Sequence, residues 1–429
     1  MKTKILFVIA LFILGSCTKL TPEQNAQLLK AYKQKNYFKL DKLMSGIKSV
    51  SGNPDLILYE ATLDNAFNRP EESIKLINRL LRKYPESFND TILCNLYAMK
   101  AQNATHLQNY RAAFHNNKII LSRYSSVCSQ DEIKSFKQDN SFYQYLVNAP
   151  KMTIIKESDS KISLTRDLAG IFNIPVQING ETEEFIFDTG ANISVIDKTL
   201  ATKYGVKILG DKVNVGNPTG KDVEAEVGLL NLKIGSIEIK NAVFLVFPDS
   251  ALIFAHGAYV IKGIIGFPIM YAFQEFTVKN NQFLIIPKTV EATTVRNFAF
   301  DGLSLDVLVK YENDSLPFQF DSGADRTALY PNFFNKYKSE IVKNCKKSPL
   351  KFAGVGSTIE VEAYVMDSAV FAAGNAEAKL DSLYIQTKNL RGEASRYIYG
   401  NLGQDYIKQF SDMKINFASM GINFSGKKK

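Results

Sequence analysis

Ile186-Phe187-Asp188-Thr189-Gly190-Ala191 and Gln319-Phe320-Asp321-Ser322-Gly323-Ala324 decide how this chain of 429 residues is read. In each, an apolar strand runs into Asp-Thr/Ser-Gly-Ala. A polar hairpin precedes each strand, Asn179-Gly180-Glu181 in the first copy and Glu312-Asn313-Asp314 in the second. Gly263-Ile264-Ile265-Gly266 follows the first copy and Tyr397-Ile398-Tyr399-Gly400 the second, the last glycine lying 78 residues past Asp188 and 79 past Asp321. Phe267-Pro268-Ile269-Met270 and Gln404-Asp405-Tyr406-Ile407 then take similar places before a last hairpin in each half. A single Asp-Thr-Gly is an ordinary turn. Two copies at matched distances from matched partners mark an internal duplication, with the two aspartates 133 residues apart.

Around these copies, from about residue 151 onward, short runs of Ile, Val, Phe and Tyr alternate with Gly, Asn and Asp, the pattern of β-strands and hairpins. Residues 171–178, 184–187, 232–234, 242–247, 283–286 and 303–310 are such runs. Upstream, residues 21–149 read as helical. Thr21-Pro22-Glu23-Gln24 offers an N-cap hydroxyl, a proline at the first helical position and a capping-box Gln. Ile74, Ile77, Leu80, Leu81 and Tyr84 form one apolar stripe over residues 70–84, and Pro85 ends it. With the apolar run at 56–67 this predicts paired antiparallel helices. They resemble a tetratricopeptide-type pair; no three repeats at a constant period emerge, so an irregular helical bundle stands beside a repeat array.

The first residues carry a different message. Lys2 and Lys4 precede an apolar run at 5–14, then Gly15, Ser16 and Cys17. That run is too short for a membrane-spanning helix, which needs roughly 20 residues, and fits a secretory signal. Leu14-Gly15-Ser16-Cys17 resembles the lipobox of bacterial lipoproteins. The resemblance implies a signal peptide at 1–16, an acylated Cys17 as the new N-terminus, and a membrane-anchored protein of the bacterial cell envelope. Cys94, Cys128 and Cys345 then remain, an odd set. Buried free thiols are the expected state, with Cys94 and Cys128 able to pair only if the compartment is oxidising. No Cys-x-x-Cys or Cys/His cluster calls for a metal. The 45% hydrophobic and 22% charged residues are those of a soluble globular chain. The net charge of +9 is spread over scattered lysines without a basic, aromatic-interleaved patch, so a nucleic-acid partner is not expected. Lys427-Lys428-Lys429 reads as a solvated tail.

The duplicated loops resemble those of the aspartic proteases, specifically the retroviral-type (retropepsin-like) group, here with both lobes in one chain over roughly residues 160–425. The fold expected is α+β multidomain: an N-terminal all-α helical bundle or repeat at 17–150, then a bilobal all-β aspartic-protease fold of two duplicated β-barrel-like lobes at 151–290 and 291–429. The resemblance implies that Asp188 and Asp321 form the catalytic pair at the lobe interface. By the same pattern Thr189 and Ser322 bond across to the opposite loop, and Ile264-Ile265-Gly266 and Ile398-Tyr399-Gly400 pack beneath. Asn192 and Asp325 match positions that contact the substrate backbone. The flaps fall on Val215-Gly216-Asn217-Pro218-Thr219-Gly220 and Gly354-Val355-Gly356-Ser357, so Gly216, Gly354 and Gly356 join the expected substrate contacts.

The chemistry explains these residue types. Two adjacent carboxylates cannot easily both ionise, so they share a proton. The ionised one takes a proton from water and the protonated one polarises the scissile carbonyl. Gly190 and Gly323, lacking Cβ, let backbone and substrate come close. Competing chemistries are thin. Of His106, His115 and His256 only the last lies outside the helical region, and no Gly-x-Ser-x-Gly accompanies it. Gly354-Val355-Gly356 lacks the Lys of a phosphate loop. The expected function is aspartic endopeptidase action on a peptide or protein substrate, without cofactor or metal, in a monomer held at a membrane. The alternative is a non-catalytic binding lipoprotein that uses the helical region and a protease-like cleft.

Overall fold

The computed structural model describes residues 20–47, 50, 52–216, 222–354, 357–389 and 396–427. It has the expected α+β multidomain form, helices first and then two β-rich lobes. Among the described residues the helices form three antiparallel pairs: Pro22–Lys33 with Tyr37–Met44, Pro54–Ala66 with Pro70–Lys83, and Asp90–His106 with Tyr110–Ile119. The helix Gln130–Leu146 follows them. The first begins with the predicted capping box, Thr21 N donating to Gln24 Oε1 at 2.9 Å and Gln24 N to Thr21 Oγ1 at 3.2 Å. Each pair turns through a non-glycine residue of positive φ: Lys35 at 47°, Asn68 at 59° and Gln108 at 54°. The turns at Lys35, Asn68 and Gln108 are unevenly spaced, 33 and 40 residues apart, so no constant period emerges from the sequence.

These turns are also the docking points on the lobes. Lys35 pairs with Asp301 at 2.7 Å. Asn68 donates to Phe417 O at 3.0 Å and accepts from the Tyr271 hydroxyl at 2.7 Å. Gln108 Oε1 accepts from Met152 N at 2.8 Å. Beside them His106 bonds Gly302 O at 2.7 Å and packs against Phe267, Tyr271 and Phe300. Burial lowers the His106 pKa, so the ring is held neutral in this apolar setting. The last helix lies along the edge strand Lys207–Val215. Its Tyr145 ring occupies the space that a Cβ on Gly210 would need, and its Lys134 pairs with Asp222 at 2.9 Å.

The lobes repeat one strand plan. In the first, Phe172–Ile178 and Glu181–Phe187 form a hairpin, and Gly263–Ile265 lies parallel to Glu181–Phe187 and antiparallel to Ser194–Asp197. In the second, Ser304–Tyr311 and Asp314–Phe320 form the hairpin, and Gly400–Leu402 lies parallel to Asp314–Phe320 and antiparallel to Ala328–Leu329. Alternation along the strand before Asp188 sends Phe185 and Phe187 into the main core and Ile186 to the opposite face, in one cluster with Val195 and Ile264. A five-stranded sheet joins the lobes. Glu275–Lys279 of the first pairs antiparallel with Phe410–Asn416 of the second, so main-chain hydrogen bonds fix the lobes relative to each other.

The register corrects one expectation. Ile264 and Ile265 lie beside Ile186 and Phe187, and their counterparts beside Gln319 and Phe320 are Asn401 and Leu402. The segment beneath the second loop is therefore Asn401-Leu402-Gly403, three residues beyond Ile398-Tyr399-Gly400. Gly400 corresponds to Gly263, and a Cβ on either would press into an aromatic ring, that of Phe318 or Phe185. Gly403 corresponds to Gly266, each at the start of a helix, Gln404–Ile407 or Phe267–Phe273. The apolar pattern is broken because Asn401 stands where the first lobe has Ile264. Its buried amide accepts from Ala328 N at 3.1 Å and donates to Arg326 O at 3.4 Å.

A Cβ on Gly403 would sit 2.6 Å from Arg326 C and 2.9 Å from Ala324 O, both backbone atoms that cannot swing aside. Gly403→Ala is expected to lower stability by about 1–3 kcal/mol in urea unfolding. Gly46→Ala, whose nearest such contact is 3.9 Å, should change little.

Candidate active site

Each strand that ends in a buried Phe, Phe187 or Phe320, delivers its loop to the lobe interface. There the main chain is tied from below: Asp188 N donates to Ile265 O and Asp321 N to Leu402 O, both at 3.1 Å. The hydroxyls six residues past each Asp complete the support. Ser194 Oγ accepts from Gly266 N at 3.0 Å and Thr327 Oγ1 from Gly403 N at 3.1 Å. The sequence carries this signal as Ser194 and Thr327, each six residues past its Asp.

The two loops are locked to each other reciprocally. Thr189 N donates to Ser322 Oγ at 3.0 Å, and that hydroxyl donates to Phe187 O at 2.9 Å. Ser322 N donates to Thr189 Oγ1 at 3.0 Å, and that hydroxyl donates to Phe320 O at 3.0 Å. Both side chains are buried, so these bonds form away from competing water.

The lock brings the carboxyl groups of Asp188 and Asp321 into hydrogen-bond contact. Each lies over the opposite glycine. A Cβ on Gly190 would be 2.7 Å from Asp321 Cγ, and one on Gly323 would overlap the Asp188 carboxyl group. Gly190 N donates to Asp188 Oδ1 at 2.7 Å and Gly323 N to Asp321 Oδ1 at 3.1 Å. Burial, followed by the negative charge of Asp321, pushes the Asp188 pKa up to about 7, against the pull of the Gly190 and Gly323 amides. One proton is thereby retained on the pair toward neutral pH, which makes the second carboxylate free to act as a base.

The other expected positions are scattered more widely. Asn192 and Asp325 are exposed, four residues past each Asp. Gly216 follows the strand Lys207–Val215, and a Cβ there would be 3.7 Å from Gln138 Oε1 of the last helix. Gly354 pairs with Ser357 at the tip of the equivalent hairpin in the second lobe. Gly356, Val355 and residues 217–220 lie outside the described residues, as does Cys17.

Further residues at the site were not found from sequence. Tyr259, on the short hairpin Ile253–Phe254 with Tyr259–Val260, donates to Asp167 Oδ2 at 2.7 Å. Its pKa is raised by burial first, then by Asp167, with the charge of Asp188 also felt. Arg166 of the first lobe donates to Gln404 Oε1 at 2.8 Å, and Gln404 Nε2 donates to Ser322 O at 2.7 Å. A chain of three groups thus runs from one lobe to the catalytic-type loop of the other. Nothing in a single sequence distinguishes Arg166 or Tyr259 from other loop residues.

Residues 174–269 match a family model described as aspartyl protease. No curated protein matches the chain. The matched segment holds the first lobe's Asp188-Thr189-Gly190 and the strand beneath it, and supports a peptidase.

Thr189→Ala would orphan Ser322 N and Phe320 O in a buried place, a loss of about 2–4 kcal/mol in urea unfolding. Thr189→Ser keeps both bonds and should return most of that stability.

Proposed function

We propose that this chain is an aspartic endopeptidase, lipid-anchored through Cys17 in a bacterial cell envelope, with Asp188 and Asp321 as its water-activating pair. One observation carries the reading: two carboxyl groups in contact, each seated over the other loop's glycine and held by the reciprocal Thr189 and Ser322 bonds.

In the reaction, a water between the carboxyl groups gives a proton to the ionised one and attacks the scissile carbonyl carbon. The protonated carboxyl donates to the carbonyl oxygen. The tetrahedral diol collapses as the amine nitrogen takes a proton from the pair, a diol hydroxyl returns one to it, and the C–N bond breaks. The carboxyl pair ends with the one proton it began with. Neither role belongs to Asp188 or Asp321 alone, because the proton belongs to the pair. Asn192 and Asp325, each four residues past its Asp and exposed, are assigned to the substrate backbone, and the hairpins bearing Gly216 and Gly354 to covering it. Since one chain supplies both loops, a monomer suffices. Acylation of Cys17 would keep the enzyme at a membrane, its substrates being peptides or proteins of the same compartment.

The test is cleavage of a mixed peptide library between about pH 4 and 7 by wild type, Asp188→Asn and Asp321→Asn, each checked for native unfolding behaviour. Wild-type cleavage with a loss of at least about 10³-fold in both variants is expected. A folded wild type that binds but never cuts peptides would establish the binding-protein alternative instead.

The anchor is tested separately. Cys17→Ser should move the chain from the membrane fraction to the soluble fraction of its cells and remove acyl-chain labelling. Unchanged membrane association would refute the assignment of Cys17.

A further inference from the structure

Two thiols meet in the helical region. Cys94, buried on the helix Asp90–His106, has its Sγ 3.4 Å from that of Cys128. Cys128 follows the turn Ser125–Val127 and immediately precedes Ser129, the N-cap of the helix Gln130–Leu146. The thiols are unjoined in the structure, and the Cys128 thiol also donates to Tyr124 O at 3.3 Å. A disulfide bond is about 2.05 Å long, so the sulfurs need to close by only about 1.4 Å. The pair is 34 residues apart in sequence, a loop of the size for which cross-linking removes much unfolded-state entropy.

We propose that Cys94 and Cys128 are a disulfide-forming pair that ties the helix Asp90–His106 to the start of the helix Gln130–Leu146. The oxidant is a disulfide of the surroundings, either a protein dithiol catalyst in its oxidised form or a small-molecule disulfide. Cys128 loses its proton and attacks one sulfur of the oxidant, releasing the other as a thiolate. Cys94 loses its proton and attacks the Cys128 side of the mixed disulfide, releasing the second thiolate. Two protons leave the cysteines, and the two electrons of the lost S–H bonds leave with the reduced oxidant. Burial raises the pKa of both thiols, so once the chain has folded neither is a good nucleophile. Cys94 is also buried in the folded chain, so the oxidant reaches it while the chain is still folding, and the bond is structural rather than a switch.

Its placement gives it a consequence for the site. The helix Asp90–His106 ends in His106, docked on Gly302 and the rings of Phe267 and Phe300 beneath the lobes. The helix Gln130–Leu146 carries Tyr145 and Lys134, which pack on Gly210 and pair with Asp222 of the first lobe's long hairpin. The bond joins these two attachments into one clamp.

The pairing itself rests only on this geometry; its occurrence in the cell rests on the envelope location proposed above. The experiment separates them. The full chain is refolded with reduced and oxidised glutathione, alkylated, digested and mapped by mass spectrometry. In parallel, chain extracted from its own cells under acid trapping is mapped in the same way. Linked peptides containing Cys94 and Cys128, with Cys345 alkylated, are expected in both. Reduction, or Cys94→Ser with Cys128→Ser, should lower the thermal midpoint by roughly 5–10 °C, and Cys345→Ser should not. Alkylation of both Cys94 and Cys128 in the refolded and the extracted chain alike overturns the proposal. Linkage after refolding but not in the extracted chain upholds the pairing and overturns the oxidising location.

Discussion

The reciprocal bonds between Thr189 and Ser322 are the constraint from which the site follows. Each hydroxyl accepts the other loop's amide and donates to the carbonyl at the end of the other lobe's strand, so neither loop can shift without stranding four buried polar groups. A buried hydrogen bond contributes only about 1 kcal/mol net, but leaving its partners unpaired costs more, and that asymmetry makes the pair of loops a single rigid object. The five-stranded sheet shared by both lobes supplies the outer frame within which the lock can close.

Electrostatics follow from this geometry. With no Cβ at Gly190 or Gly323, each carboxyl group settles onto the opposite loop, and the two acids meet at the lobe interface. Burial and mutual repulsion then hold a proton on the pair up to about pH 7. The sign of the linkage is that of a raised acid. Its contribution to stability is complete below the ordinary aspartate range and is lost as pH rises through about 7. The fold thus invests in a strained arrangement of acids at one point and secures it with strand pairing, aromatic packing and the docked helices elsewhere.

Much of this was legible because the decisive residues are contiguous. Asp188-Thr189-Gly190 and Asp321-Ser322-Gly323 announce themselves, and the strands before them follow simple alternation. Legibility failed where a polar residue replaced an apolar one without changing the backbone. Asn401 fills the position of Ile264 with hydrogen bonds instead of packing, and this moved the apparent support segment by three residues. The helical pair at 54–83 was legible from its apolar stripe and Pro85, but the first and third pairs were not, because their turns use Lys35 and Gln108 in the left-handed region, where glycine would have marked them. Contacts such as Arg166 with Gln404 and Tyr259 with Asp167 depend on tertiary approach between distant segments, which no local pattern encodes.

The geometry of the pair requires one proton shared between Asp188 and Asp321. Carboxyl-carbon NMR of the chain labelled at aspartate, followed from about pH 3 to 9, reads it directly. A two-step titration coupled between the two resonances, with its upper midpoint near 7, is predicted, and Asp321→Asn should lower that midpoint for Asp188. Two independent titrations in the ordinary aspartate range, indifferent to that substitution, would contradict it.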